Sequence, residues 1–392
     1  MTNVSHPLTR RRFLHRCAAF SAFSVTPGLL SACGGSGGGD SAGGNPDQSS
    51  GGEPPTPSAS AWVWPDEGAA HAASWMSFQV SAAIWGRDMV APVQEALARI
   101  ANAIIPFEPL NVIVAPENMA RARALLDARI RLVSGAADDL WIRDSGCITV
   151  RNAQGQKRAV SFNFNGWGNK QAYSRDATVA QQMSQQQGVN LVRSRLVLEG
   201  GALETDGEGT AIITESCVLN ANRNPGWTKP AVEAELKATL GFSKIIWLPG
   251  IAGKDITDGH TDFYARFVKP GVVLANLETD PGHFDYAVTR KHLDILRSAT
   301  DAQGRCLQIT TLSPPAQTRP DFAGKDFAAG YINFYLVNGG VLCPEFGDAT
   351  ADNQARTTLA ALYPDRKIVM LNIDAIAVGG GGIHCSTMHQ CA

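Results

Sequence analysis

The chain has 392 residues, 34 Lys and Arg against 36 Asp and Glu, and a formal net charge of −2. A near-neutral balance with no basic run in the body of the chain argues against a nucleic-acid partner. No apolar stretch beyond residue 33 is long enough to cross a bilayer. The eight cysteines are too dispersed to form a disulfide scaffold, although an oxidising compartment would permit disulfides.

Residues 1–33 read as an export signal. Thr9-Arg10-Arg11-Arg12-Phe13-Leu14 sets a twin arginine before a short apolar segment, from about Cys17 to Leu30, followed by small residues. Twin arginines direct folded proteins through a bacterial export route. Leu30-Ser31-Ala32-Cys33 resembles a lipoprotein processing box, which predicts Cys33 as the lipidated first residue of a mature periplasmic or cell-surface protein. Residues 34–60, almost all Gly, Ser, Pro and Ala, lack the large apolar groups that would offset the entropy of ordering, and read as a flexible tether.

The remaining stretch, 61–392, repeats one plan of strand, polar segment, amphipathic helix and strand. "SWMSFQV" leads to a helix around 90–104 and then "NVIVA". "CITVRN" and "SFNFNG" lead to a helix around 176–187 and then "LVLEG". "AIITESCVLN", a helix around 229–240 and "KIIWLPG" form a third unit; "VVLANL", a helix around 284–298 and "LQITTL" a fourth; "VLCPEF", a helix around 351–361 and "KIVMLN" a fifth. Five such units can form an open α/β sheet or close into a ring.

The polar segments between the units favour the ring. "DDLWIRDSG", "LEGGALETDGEG", "DITDGHTDFYARF", "GYINFYLVNGG" and "GGGGIHCST" occupy the same phase of successive units. A closed ring brings one phase to one place, so Trp141, Asp144, Glu199, His260, Asp262, Asn333 and Cys385 are expected to converge at one end of the axis. A thiol with an imidazole suggests nucleophilic catalysis. Several carboxylates beside a thiol suit a cationic substrate, and a guanidinium presents a planar fork of donors that carboxylates match two at a time. Asp144 and Asp262 would grip that group and the Trp141 ring would line or stack on it. Cys385 would attack its central carbon, His260 would protonate the departing ammonia, and water activated by the same imidazole would hydrolyse the thiouronium intermediate. This chemistry needs no metal or cofactor.

"DDLWIRDSG", "FNFNGWGNK", "LEGG", "LNANRNPGWTK", "TDGHTDFYARF", "YINFYLVNGGVLCPEFGD" and "GGGGIHCST" together resemble the agmatine deiminase and bacterial-type peptidylarginine deiminase family across 61–392. The resemblance implies a five-bladed α/β propeller with the site on its pseudo-fivefold axis. It also implies Cys385 as nucleophile, His260 as acid and base, Asp144 and Asp262 as guanidinium ligands, and matching places for Trp141 and Asn333; Arg143 reads as structural. The expected reaction converts agmatine to N-carbamoylputrescine and ammonia, with Glu199 or Asp66–Glu67 meeting the far amine. Deimination of arginine in peptides or proteins is the alternative. The expected partners are the guanidino substrate or an arginine peptide and, through the lipid alone, the membrane; a homodimer is left open.

Taken alone, each motif has a plainer reading. His384, Cys385, His389 and Cys391 are zinc-ligand types, but structural zinc sites draw ligands from two separated pairs. A Cys385–Cys391 disulfide would block the thiol, and "GGGG" lacks the lysine and helix of a phosphate loop. A non-catalytic or zinc-binding envelope lipoprotein is therefore the competing class. The first would tolerate loss of Cys385, and the second would fail with chelators.

Overall fold

In the computed structural model, which describes residues 61–322 and 327–392, the last strand of the chain closes the first sheet: Met388–Cys391 runs antiparallel to His71–Ser77. The expected signal peptide, tether and Cys33 lie outside the described residues. His71–Ser77 also pairs in parallel with Leu110–Val114, which pairs with Arg131–Ser134. Four further sheets follow in chain order, and each repeats the same core of two antiparallel strands, a helical crossover and a parallel third strand. They are built on Ile148–Asn152, Lys157–Ser161 and Asn190–Arg193; on Leu203–Thr205, Thr210–Thr214 and Lys244–Leu248; on Ala265–Lys269, Val272–Asn276 and Gln308–Leu312; and on Tyr335–Val337, Gly340–Glu345 and Lys367–Asn372. The result is a five-bladed α/β propeller whose first blade is completed from both ends of the described chain.

Local chemistry explains the repeat. The antiparallel pairs turn on glycine where the backbone needs a positive φ: Gly339 at 80° after Asn338, and Gly271 at 76° after Pro270. The third strand is parallel, so a helix must carry the chain back. Lys229–Leu240 starts with Pro230 in its first turn and ends on left-handed Gly241, the asymmetry expected of helix ends. Arg87–Ile104 buries Val93, Leu97, Ile100, Ala101 and Ile104 along one stripe.

The sequence periodicity locates all five crossover helices, observed at Arg87–Ile104, Val179–Gln187, Lys229–Leu240, Tyr286–Ser298 and Ala349–Leu362. Two expectations are corrected. The third strand of the second blade is Asn190–Arg193, while "LVLEG" is a loop in which Leu196 and Leu198 are buried. Burial, not strand pairing, accounts for its apolar letters. "SFNFNG" continues only to Ser161 as strand, because Asn163 takes a φ of 54° and bends the chain inward. The first blade also has a fourth strand, preceded by the helix Met119–Leu125, which the periodicity did not suggest.

Candidate active site

Each blade delivers a short helical turn just before the strand that runs antiparallel to its middle one. The turns are Ile142–Ser145, Gly200–Ala202, Thr261–Phe263, the segment 331–334 and His384–Ser386. They are hydrogen-bonded into a closed circle. Arg143 Nε donates to the His384 carbonyl (3.2 Å), Gly201 N to Asp144 Oδ1 (3.1 Å) and the Thr261 hydroxyl to the Ala202 carbonyl (2.7 Å). Asn333 Nδ2 reaches the Asp262 carbonyl (3.4 Å), and the His384 amide returns to Asn333 Oδ1 (3.0 Å). The shared phase of the five polar segments is thus one place in space.

A cavity of ≈ 500 Å³ opens on this circle, lined by Trp141, Asp144, His260 and Cys385. Three of the four glycines before Cys385 are needed for close approach: a Cβ on Gly379 would strike Trp85, on Gly381 the Trp141 ring, and on Gly382 Asn333. Gly380 supplies a positive φ of 85°. The glycine run therefore lets the Cys385 loop lie against the cavity wall. Trp141 is further braced by Trp85, stacked at 6.0 Å, whose indole N–H donates to Asp139.

Around the thiol, Asn333 Nδ2 lies 3.3 Å and Asp262 Oδ2 3.5 Å from Cys385 Sγ. Burial, and then the Asp262 and Asp144 charges, push the Cys385 thiol well above its usual range. Burial opposes a charge on His260, but Asp144, Cys217 and Glu199 prevail and raise its pKa well above the ordinary value. Burial, Asp262 and Glu199 raise the Asp144 carboxyl even though His260 and the Trp167 N–H act the other way. Beside the thiol, buried Asp262 Oδ1 has no hydrogen-bond partner, and His260 Nδ1 has none closer than the Asp144 carboxylate at 3.7 Å. Buried polar atoms are normally satisfied, so these two atoms can still take a partner.

The sequence profile of the Porphyromonas-type peptidyl-arginine deiminases matches residues 63–391. The chain belongs to this family of deiminases. Among its family relatives, the agmatine deiminase of Stutzerimonas stutzeri is 38% identical over 360 residues, spanning 86% of this chain and 97% of the relative. That of Pseudomonas fluorescens SBW25 is 37% identical over the same shares. The solved agmatine deiminase of Enterococcus faecalis superposes with a TM-score of 0.79 at 32% identity, covering 84% of this chain and 96% of that one.

Within this deiminase site, three expectations need correction. Glu199 does not line the cavity. It lies fully buried behind His260, with Oε2 3.1 Å from Nε2, and Arg223 Nε bonds both its oxygens at 2.8 and 2.9 Å. Arg223 leads the groups that overcome burial and hold its carboxyl down at about 2. Asn333 is also fully buried; it bonds the Cys385 thiol and the amides of His384 and Cys385 and leaves the substrate to others. Glu67 cannot meet a substrate amine because it is bonded to Arg143, Arg266 and His384, and Asp66 folds back on the Gly68 amide. Arg143 accordingly sits in a buried ion pair, away from the cavity.

Residues that the sequence reasoning passed over include Cys217, whose thiol donates to Glu199 at 3.5 Å, and Trp167, whose indole N–H donates to Asp144 Oδ2 at 2.9 Å. Both lie in stretches quoted above only as strand or motif, and Trp167 reaches Asp144 through an unusual φ of 57°. The closing stretch is not a metal cluster: His384 Nδ1 is held by Asp262, His389 Nε2 accepts from Trp64, and Cys391 sits in the closing strand opposite His71. Among the described residues all six cysteines are free. Among the described residues, the one set of potential ligands in mutual reach is Glu199, Cys217 and His260. Arg223 already occupies Glu199 there, and a buried guanidinium opposes a cation.

Proposed function

We propose that the protein hydrolyses the guanidinium of agmatine to a ureido group and ammonia through Cys385. The carrying observation is one cavity lined by Cys385, His260 and Asp144, with Asp262 buried behind the thiol, Oδ2 3.5 Å from Sγ and Oδ1 without a hydrogen-bond partner. A guanidinium held between Asp144 and Asp262 satisfies that acceptor and adds a positive charge beside the thiol. Burial and then those two carboxylates raise the thiol's pKa, so the substrate's own charge, set against theirs, favours the thiolate as a proton leaves to solvent. Sγ then bonds to the guanidinium carbon, the C–N bond breaks, and His260 gives its proton to the departing ammonia. Water adds to the thiouronium carbon, returning a proton to His260, and the S–C bond breaks to regenerate the thiolate. Glu199 and Arg223 orient the imidazole; Asn333 orients the thiol.

The outer wall of the cavity supports a substrate with a second cation. Asp255, Glu278, Asp280 and Asp285 line it, and among the described residues no Lys or Arg does. A far amine gains from that field, whereas the α-carboxylate of free arginine is repelled. Ammonia release by the full-length protein from agmatine, free arginine and a short arginine peptide tests this. Agmatine is expected to have a kcat/KM at least about a hundredfold above free arginine, equivalent to roughly 3 kcal/mol of transition-state discrimination. Higher activity on the peptide would replace agmatine by protein arginine as the substrate.

We also propose that the enzyme works outside the cytoplasm, anchored through Cys33. The twin arginine, the Leu30–Cys33 box and the polar 34–60 stretch support this reading. Metabolic labelling with palmitate should mark the wild type and not a Cys33→Ala variant; equal labelling of both would refute the anchor.

A further inference from the structure

His384, next to the nucleophile, is fully buried between two carboxylates. Its Nδ1 lies 2.8 Å from Asp262 Oδ2 and its Nε2 3.0 Å from Glu67 Oε2. Ionised carboxylates only accept hydrogen bonds, and a neutral imidazole has one N–H to give. Which nitrogen carries it is decided by the surroundings. Glu67 is already supplied: Arg143 and Arg266 both donate to it at 2.7 Å, and the Leu336 amide adds a third bond at 3.0 Å. His389, whose Nε2 accepts from Trp64, has its Nδ1 3.8 Å from Glu67 as well. Among the described residues Asp262 Oδ2 has His384 Nδ1 and the Cys385 thiol as its hydrogen-bond partners and Oδ1 has none, while the charges of His260 and Arg266 act on the carboxylate from further off. The need for a donor is therefore greatest at Asp262.

We propose that His384 is a positioning residue: its Nδ1–H pins Asp262 Oδ2, screens that oxygen's charge from Cys385 Sγ, and leaves Oδ1 turned to the substrate. The same oxygen accepts from the imidazole and lies 3.5 Å from the sulfur. With the N–H in place, part of its charge is taken up by His384; without it, and with His260 and Arg266 still favouring the ionised carboxylate, a less screened charge faces the thiol and favours S–H over S⁻. Arg143 and Arg266 keep Glu67 ionised on the far side, so the imidazole is held at both ends by charge. The role given to Oδ1 rests on the deiminase reading above, but the effect on the thiol does not.

The test is the pH dependence of Cys385 alkylation by iodoacetamide in the full-length protein, read by peptide mass spectrometry with exposed Cys306 as the internal control. His384→Leu is expected to slow alkylation at neutral pH about tenfold, as the loss of one screening hydrogen bond to a buried carboxylate implies. His384→Asn, whose side-chain N–H₂ occupies nearly the place of Nδ1, should restore most of the rate. In an Asp262→Asn background the leucine substitution should have no effect on alkylation. A folded leucine variant with the wild-type profile, or a leucine effect that persists without the Asp262 charge, would overturn the proposal. Should the leucine variant not fold, the ¹⁵N-histidine NMR spectrum of the wild type decides: a protonated Nδ1 on His384 is expected, and a bare Nδ1 would overturn it. Because alkylation needs no turnover, a failure of agmatine hydrolysis leaves this result readable.

Discussion

Replacing Cys385 by alanine is expected to lower kcat/KM for agmatine by about 10⁴-fold or more, on the scale seen when a covalent nucleophile is removed. Among the described residues the thiol is the one cysteine lining the cavity with His260 and Asp144, and the Thr257 hydroxyl that also lines it is held by Asp255 and the His260 amide. The substitution should leave the fold intact. Cys385 is buried, but the turn that carries it is held by backbone amides and Asn333, bonds that alanine retains in part. Thermal unfolding and agmatine binding by calorimetry complete the test. A variant that keeps both its melting temperature and its affinity while losing turnover separates catalysis from binding. A variant that keeps turnover would show that a group other than the Cys385 thiol carries the reaction.

His260→Asn is expected to cost about 10³-fold in kcat, the range of a general acid and base. Asparagine still fills the space before Glu199, so the loss reports the missing proton and not a collapsed pocket. The pH profile adds a second readout. The protonated imidazole is the active acid, so activity should hold below the His260 pKa and fall as pH rises through it. Asp144, Cys217 and Glu199 together outweigh burial and hold that pKa well above the ordinary value. Glu199→Gln removes one of these supports, so its alkaline limb should move to lower pH; kcat against pH measures it. An unmoved limb would mean that another group sets the profile.

How far the letters alone reach depends on what each residue's role requires. The blade plan is local: "VQEALARIANAI" carries its own 3.6-residue stripe, and Pro230 and Gly241 bracket their helix, so five crossovers are legible without a partner in view. Cys385, His260 and the Trp141–Asp144 pair are legible because they occupy the same phase of three different blades, and the ring turns phase into position. Glu199 and Asn333 share that phase, which places them at the circle but does not say which way they face. Their direction is set by Arg223 and by the amides of His384 and Cys385, contacts made across blades. Glu67 precedes the first blade in the chain, yet it reaches Arg143, Arg266 and His384 in three other parts of the ring. No spacing within a unit encodes that. The same limit explains "LVLEG", whose apolar letters report burial that a strand and a core loop share.

The most direct test of the account is acid quenching of the wild-type protein during turnover of agmatine, followed by intact and peptide mass spectrometry. The account predicts an adduct of agmatine less ammonia, confined to the peptide that carries Cys385 and absent from Cys385→Ala. Steady ammonia release with no adduct on Cys385 under any quench, or an adduct on another residue, would contradict it.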